Sequence, residues 1–200
     1  MQTNDNINWH DQWKDHAHGF KDGKAHICFK DLGIKHEGQI LLEPGPGFGD
    51  LSHPTTWLVL SMMYPHVAGK NVLDVGCGSG ILSVAAAHFG AKSVFGIDIE
   101  DDAIIHARKN GALNNFSSLC TFAKSPLHGA DILLMNMIRS EQITAYNSLP
   151  SVCKQFKSAF TSGILKEDRA KYLKQTAEWG WKCIDERHKK GWMGFQFELY

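Results

Sequence analysis

Asp74 and Asp98 stand on either side of a glycine run, Gly76-Cys77-Gly78-Ser79-Gly80. Glycine lets a turn run tightly and lets the backbone come close to a ligand. A carboxylate about 20 residues beyond such a turn reaches the hydroxyls of a ribose. The pattern therefore points to a nucleoside-containing cofactor. Its spacing is Gly-x-Gly-x-Gly, not the Gly-x-Gly-x-x-Gly of dinucleotide enzymes. Asp74, two residues before the first glycine, would repel a pyrophosphate and suits a cation. S-adenosylmethionine (SAM) combines a sulfonium, an amino group and a ribose, and has no phosphate. The set Asp74, Gly76, Gly78, Gly80 and Asp98 accordingly points to SAM as the cofactor. The competing reading is a tight strand-to-helix turn that binds nothing.

Two further residues carry candidate chemistry. Asn136 follows an apolar run at residues 132–135. Its amide oxygen can accept a hydrogen bond from an amine N–H and aim the nitrogen lone pair, although an amide is no base at neutral pH. The plainer alternative is a strand-end turn residue. His53 stands in Ser52-His53-Pro54-Thr55-Thr56. It either caps the helix that begins there or turns into the site as the nearby candidate base, and the sequence leaves both readings open.

These residues need elements to position them. Residues 72–75 and 94–97 read as buried strands, with a helix at 81–89 between them and Gly90 at its C-cap. A helix at 100–110 has acids first and Arg108 and Lys109 last, and Asn110-Gly111 is expected to end it. Strands follow at 119–123, at the sheet edge, at 132–135 and at 158–164. Helices are expected at 141–149, before Pro150, and at 166–179, ending at Gly180. Residues 181–187 and 192–199 read as a closing antiparallel hairpin. Upstream, strands are expected at 25–29 and 39–42. A Gly/Pro-rich run at 43–50 comes next, then a helix from Pro54 to Met63 with Trp57 in the core. Strands alternating with helices give an α/β, doubly wound sheet. Its ligand lies at the carboxyl ends of the strands, where the glycine turn, Asp98 and Asn136 all fall.

The 200 residues suit one main domain, expected at residues 41–200, with residues 1–40 as an extension packed on it. The formal net charge is zero, which argues against nucleic acid and anionic membranes as partners. The five cysteines are odd in number and scattered, without a C-x-x-C, so neither a disulfide framework nor a zinc site is expected. His10, His16 and His18 cluster, yet no further ligand is near. A solvated first helix with Trp9 and Trp13 on its buried side is the expectation, and no metal. No signal peptide is expected and no apolar run is long enough to span a bilayer, so the expected location is cytoplasmic.

Five segments in order carry a closer likeness: PGPGFGDLSHPTT from Pro44, LDVGCGSGILSVAAAHFGA from Leu73, GIDIEDDAI from Gly96, DILLMNMI from Asp131 and SGIL from Ser162. Together they resemble the bacterial ribosomal protein L-eleven methyltransferases of the PrmA type, over roughly residues 9–200. The glycine turn is shared with most SAM enzymes, whereas the His-Pro-Thr-Thr segment is far more specific. The resemblance implies a Rossmann-like class I SAM-dependent methyltransferase fold. In it a mostly parallel seven-stranded sheet ends in an antiparallel hairpin, with helices on both faces. It also implies cofactor contacts at Phe48, Gly49, Thr56, Gly76, Gly78, Asp98 and Asn136. The implied partner is a protein amine, ribosomal by family.

Three departures concern the substrate side. The chain is expected to lack the family's N-terminal recognition domain. Gly47-Phe48-Gly49-Asp50-Leu51 replaces Ala-Phe-Gly-Thr-Gly, and Arg139, Ser140 and Glu141 replace small apolar residues. The Asn-Pro-Pro-aromatic motif of enzymes acting on amide or adenine nitrogens is absent, since Met137 and Ile138 follow Asn136. The expectation is a SAM-dependent N-methyltransferase of a protein amine. Its rivals are a small-molecule methyltransferase and a non-catalytic SAM-binding scaffold.

Overall fold

Short apolar runs separated by glycine turns dictate alternating strands and helices. The computed structural model describes residues 8–17, 19–49 and 52–199. Its elements begin with α1 (Trp9–His16), β1 (Phe20–Lys21), β2 (Lys24–Cys28), β3 (Gln39–Leu42) and α2 (Pro54–Met63). The central units are β4 (Asn71–Val75), α3 (Ile81–His88), β5 (Ser93–Ile97), α4 (Asp101–Leu113), β6 (Cys120–Ala123) and β7 (Ile132–Asn136). The chain closes with α5 (Arg139–Ser148), β8 (Ser158–Leu165), α6 (Arg169–Glu178), β9 (Trp181–Lys189) and β10 (Trp192–Leu199).

Among the described residues, seven strands form one sheet in the order β6-β5-β4-β7-β8-β10-β9. From β6 through β8 the neighbours run parallel; β10 runs antiparallel to both β8 and β9. The chain moves outward from β4 to β5 and β6, then returns to β4's other side with β7. That reversal opens a crevice at the carboxyl ends of β4 and β7.

The pleat sends alternate side chains to opposite faces. Val72, Ile132, Leu134 and Phe160 join one apolar layer, with Leu60, Val84 and Ala107. Leu73, Leu133, Met135 and Ala159 join the other, with Tyr146, Tyr172 and Trp181. Burial on both faces explains why β7 reads as a continuous apolar run and β4 as one broken only by Asp74. β9 lies at the margin, and most of its residues after Trp181 are exposed or half-buried.

Several expectations are corrected. α4 does not stop at Asn110-Gly111 but runs on to Leu113, with Asn115 left-handed just beyond it (φ 63°). Asn110 spends its side chain on partners outside the helix, not on capping. Gly111 is retained where Phe122 packs, 3.2 Å from where its Cβ would be. The segment expected as one helix at 166–179 starts as a 3₁₀ turn, Lys166–Asp168, before α6. Trp57 is only half-buried: its indole N–H donates to Leu32 O at 3.0 Å, and Lys189 Nζ sits 3.6 Å above the ring. A small antiparallel sheet, β1-β2-β3, was not expected as a unit. Ile27, Ile40 and Leu42 from it, with Phe29 just after β2, enter the same layer as Val84 and Ala85. This is why Ile81 through Ala87 are all buried. β3 crosses the boundary expected after residue 40.

Candidate active site

At the end of β4 the chain turns back through its glycines. The amides of Gly76 and Cys77 donate to Ile97 O at 2.8 and 3.0 Å, tying the turn to β5. Gly78 N–H donates to Asp98 Oδ2 at 2.9 Å, and Glu100 N–H to Oδ1 at 3.1 Å. Asp98 is thereby fixed, half-buried, with lone pairs to spare on both oxygens. Gly78 is left-handed (φ 54°), and a Cβ there would lie 2.5 Å from Phe48 O. A Cβ on Gly76 (φ 72°) would lie 2.5 Å from Met137 Sδ. Both positions thus need glycine for conformation and for close approach. Gly80 begins α3 at φ 80°.

Asp74 differs from the other members of the set. It is 1% exposed and turned toward α3, where Ser83 Oγ–H donates to its Oδ2 at 2.6 Å. Burial pushes its carboxyl up to about 7; the Ser83 hydrogen bond opposes this and the Asp98 charge adds to it.

A second segment lies across the turn. Ser79 N–H donates to Phe48 O at 2.9 Å and Ser79 Oγ–H to Gly49 O at 2.8 Å. The Phe48 side chain is 56% exposed at the mouth of the crevice. Side chains of α4, and of Asn114 just beyond it, hold the segment as a neighbouring strand would. Asn114 bonds both the N–H and the C=O of Leu41, at 2.8 and 2.7 Å. Asn110 accepts from Glu43 N–H at 2.9 Å and donates to Ser79 O at 2.8 Å. His106 Nδ1 accepts from Gly47 N–H at 3.1 Å, while Nε2 lies 2.7 Å from Glu43 O. Sequence reasoning missed these three. For His106 and Asn110 the available signal was polar residues at helical spacing on the buried stripe with Ala103 and Ala107.

Asn136 ends β7 beside Ser162 of β8. Its amide nitrogen donates to Thr56 Oγ1 at 3.3 Å, and among the described residues its buried Oδ1 has no hydrogen-bond partner. Buried polar atoms are nearly always paired, so this one marks a place for an external donor. The following turn is braced from behind. Gln142 Nε2 donates to Met137 O and Ser162 O, each at 2.7 Å, and Tyr172 O–H donates to Gln142 Oε1 at 2.6 Å. Gly163 (φ 93°) passes so close to the Met137 carbonyl that no Cβ fits. Gln142, Tyr172 and Gly163 were also missed.

His53 caps α2. Its Nδ1 accepts from Thr55 N–H at a long 3.5 Å and lies 2.8 Å from Thr55 Oγ1. The Thr55 hydroxyl can donate to Nδ1 or accept from it, according to the tautomer of the ring. The ring packs edge-on between Phe48 and Trp192, with centroids 5.9 and 4.8 Å away. Asp50 and Leu51 lie outside the described residues, as does His18 of the N-terminal histidines. Among the described residues, no group of three or more His, Cys, Asp or Glu is arranged to hold a metal ion. None of the helices is long and apolar enough to cross a membrane.

Comparison with known proteins gives a consistent result. The family model described as ribosomal protein L11 methyltransferase (PrmA) matches residues 1–199. The ribosomal protein L11 methyltransferase of Caldanaerobacter subterraneus subsp. tengcongensis is 35% identical over 199 residues, 94% of this chain and 64% of that protein. The Haemophilus influenzae protein of the same name is 34% identical over 167 residues, 80% of this chain and 56% of its own. The chain thus spans about three fifths of the length of the curated relatives it matches. The crystal structure of a ribosomal protein L11 methylase from Lactobacillus delbrueckii subsp. bulgaricus superposes with a TM-score of 0.70 at 29% identity, covering 80% of this chain and 84% of that one.

Proposed function

The chain belongs to the ribosomal protein L11 methyltransferase (PrmA) family, and from that premise we propose that it is a SAM-dependent N-methyltransferase with a protein amine as acceptor. The observation that carries the reading is Asn136 Oδ1, buried and unpartnered among the described residues, one strand from the glycine turn. The donor set fits SAM. Asp98 offers lone pairs to ribose hydroxyls, and the glycines leave room for close approach. When bound, SAM would supply an electrophilic methyl group on a sulfonium.

The protein's own task is then orientation and exclusion of water. Asn136 holds its amide nitrogen on Thr56 and presents Oδ1 to an acceptor N–H, which aims the lone pair. A lysine amine, with a pKa near about 10.4, must shed its proton first, and a desolvated position favours that. In this reading His53 caps α2 and lines the acceptor side with Phe48 and Trp192. Calorimetric titration of SAM and S-adenosylhomocysteine into the wild type and Asp98→Ala tests the cofactor: binding is expected in the first and at least tenfold weaker in the second. Methyl transfer to the ribosomal protein, in an extract lacking that modification, tests the acceptor. Tight SAM binding without turnover on any substrate pool, protein or small-molecule, would reject the enzymatic reading in favour of a scaffold.

A further inference from the structure

We infer that His106 is a positioning residue: as a neutral imidazole protonated on Nε2, it fastens residues 43–47 to α4 and so seats Phe48 and Gly49 on the glycine turn, and its protonation in acid releases them. The consequence for the cofactor rests on the proposed SAM site; the clamp itself rests on geometry alone.

The ring has one arrangement that satisfies its neighbours. Gly47 N–H can only donate, so Nδ1 must be bare to accept it at 3.1 Å. Glu43 O can only accept, so Nε2 must carry the proton at 2.7 Å. Gly45 crosses the ring so closely that a Cβ there would lie 2.7 Å from Cδ2 and Nε2. Trp13 of α1 packs edge-on from another side, with centroids 5.8 Å apart. His106 is 3% exposed, so water has little access to replace either bond.

A second proton would place an N–H on Nδ1, facing the N–H of Gly47. Two donors cannot bond each other, and a buried charge would be added. The groups acting on the ring are Lys109 from its own helix, which opposes protonation, and Glu43 from the segment, which favours it; the α1 neighbour is the uncharged Trp13. Burial is the largest influence and holds the imidazole below the ordinary histidine range. The clamp is therefore closed at neutral pH and opens only in acid. Asn110, which holds Glu43 of the same segment, and Asn114, which holds Leu41 before it, do not titrate.

The test uses the full chain without cofactor. Nitrogen NMR of the His106 ring gives its tautomer and titration midpoint, and hydrogen exchange gives the Gly47 amide protection factor across pH. Both are measured in the wild type, exchange also in His106→Phe and His106→Asn, and S-adenosylhomocysteine affinity in all three. The expected results are an Nε2–H tautomer and loss of Gly47 protection at the same acidic midpoint. In His106→Phe, Gly47 is expected to exchange at least tenfold faster and the Kd to rise about tenfold. His106→Asn, whose Oδ1 stands near the place of Nδ1, should restore protection and remove its pH dependence. An Nδ1–H tautomer, or Gly47 protection indifferent to pH and to both substitutions, overturns the inference. If His106→Phe fails to fold, the wild-type pH series decides alone. Gly47 protection that follows His106 without any ligand binding upholds the clamp and rejects the SAM reading. Ligand binding with unaltered Gly47 exchange does the reverse.

Discussion

Asp74 sits in the core with a single hydroxyl as side-chain partner, and burial lifts its carboxyl from 3.8 to about 7. Between those values the folded chain keeps a proton that the unfolded chain has released, so stability falls as pH rises through that window. Asp74→Asn should abolish this slope. Above pH 7 it should be more stable than the wild type by on the order of 2–4 kcal/mol, as read from urea midpoints at two pH values. If the sulfonium lies near this acid, the affinity for SAM relative to S-adenosylhomocysteine rises through pH 7 in the wild type and stays flat in the variant. Asn136→Ala should lower turnover by about 10²–10³-fold while SAM affinity changes only a few-fold, by analogy with the loss of one preorganised donor in other enzymes. Rates and calorimetry on the same sample check this, and equal losses in both would make Asn136 chiefly a cofactor contact. Asp98 and the glycines were legible in the sequence because their pattern is local. His106, Gln142 and Tyr172 were not, because their partners lie up to tens of residues away and helical spacing records burial without naming what is opposite.

At the scale of elements, the turn after β7 depends on a strut from α6. Tyr172 reaches Gln142, and Gln142 in turn holds the carbonyls of Met137 and Ser162. Tyr172→Phe leaves Gln142 Oε1 without its donor in a dry interior, which should cost about 1–3 kcal/mol. The thermal midpoint should fall accordingly, and turnover should fall more than SAM affinity because the Asn136 turn loosens. The strands of the central sheet were readable, since β4, β5 and β7 have apolar runs bounded by turn residues. The end of α4 was misread because Asn-Gly is a good local stop, while Asn110 and Gly111 answer instead to Glu43, Ser79 and Phe122. Local chemistry proposes a boundary, and tertiary partners decided this one.

For the whole molecule, the β1–β3 sheet is part of the main core. Ala25, Ile27 and Phe29 are fully buried in the layer that also contains Val84 and Ala85 of α3. Deleting residues 1–38 is expected to abolish cooperative unfolding, measured by circular dichroism, because it strips one face of α3, which is buried from Ile81 through Ala87. The sequence carried a hint of this in the apolar circumference of α3, but β1 is two residues long and gives no periodicity to read. The same central sheet also has two ends. β6 is four residues long. β9 is longer, but it bears Lys182, Asp185, Glu186, Arg187 and Lys189, with Arg169–Glu186 and Arg187–Asp185 pairs along it. A foreign strand approaching this margin meets alternating charge that it would have to strip of water. Growth of the sheet by recruitment from outside is thereby blocked, and a protein with so much continuous apolar strand is protected against templating its own aggregation.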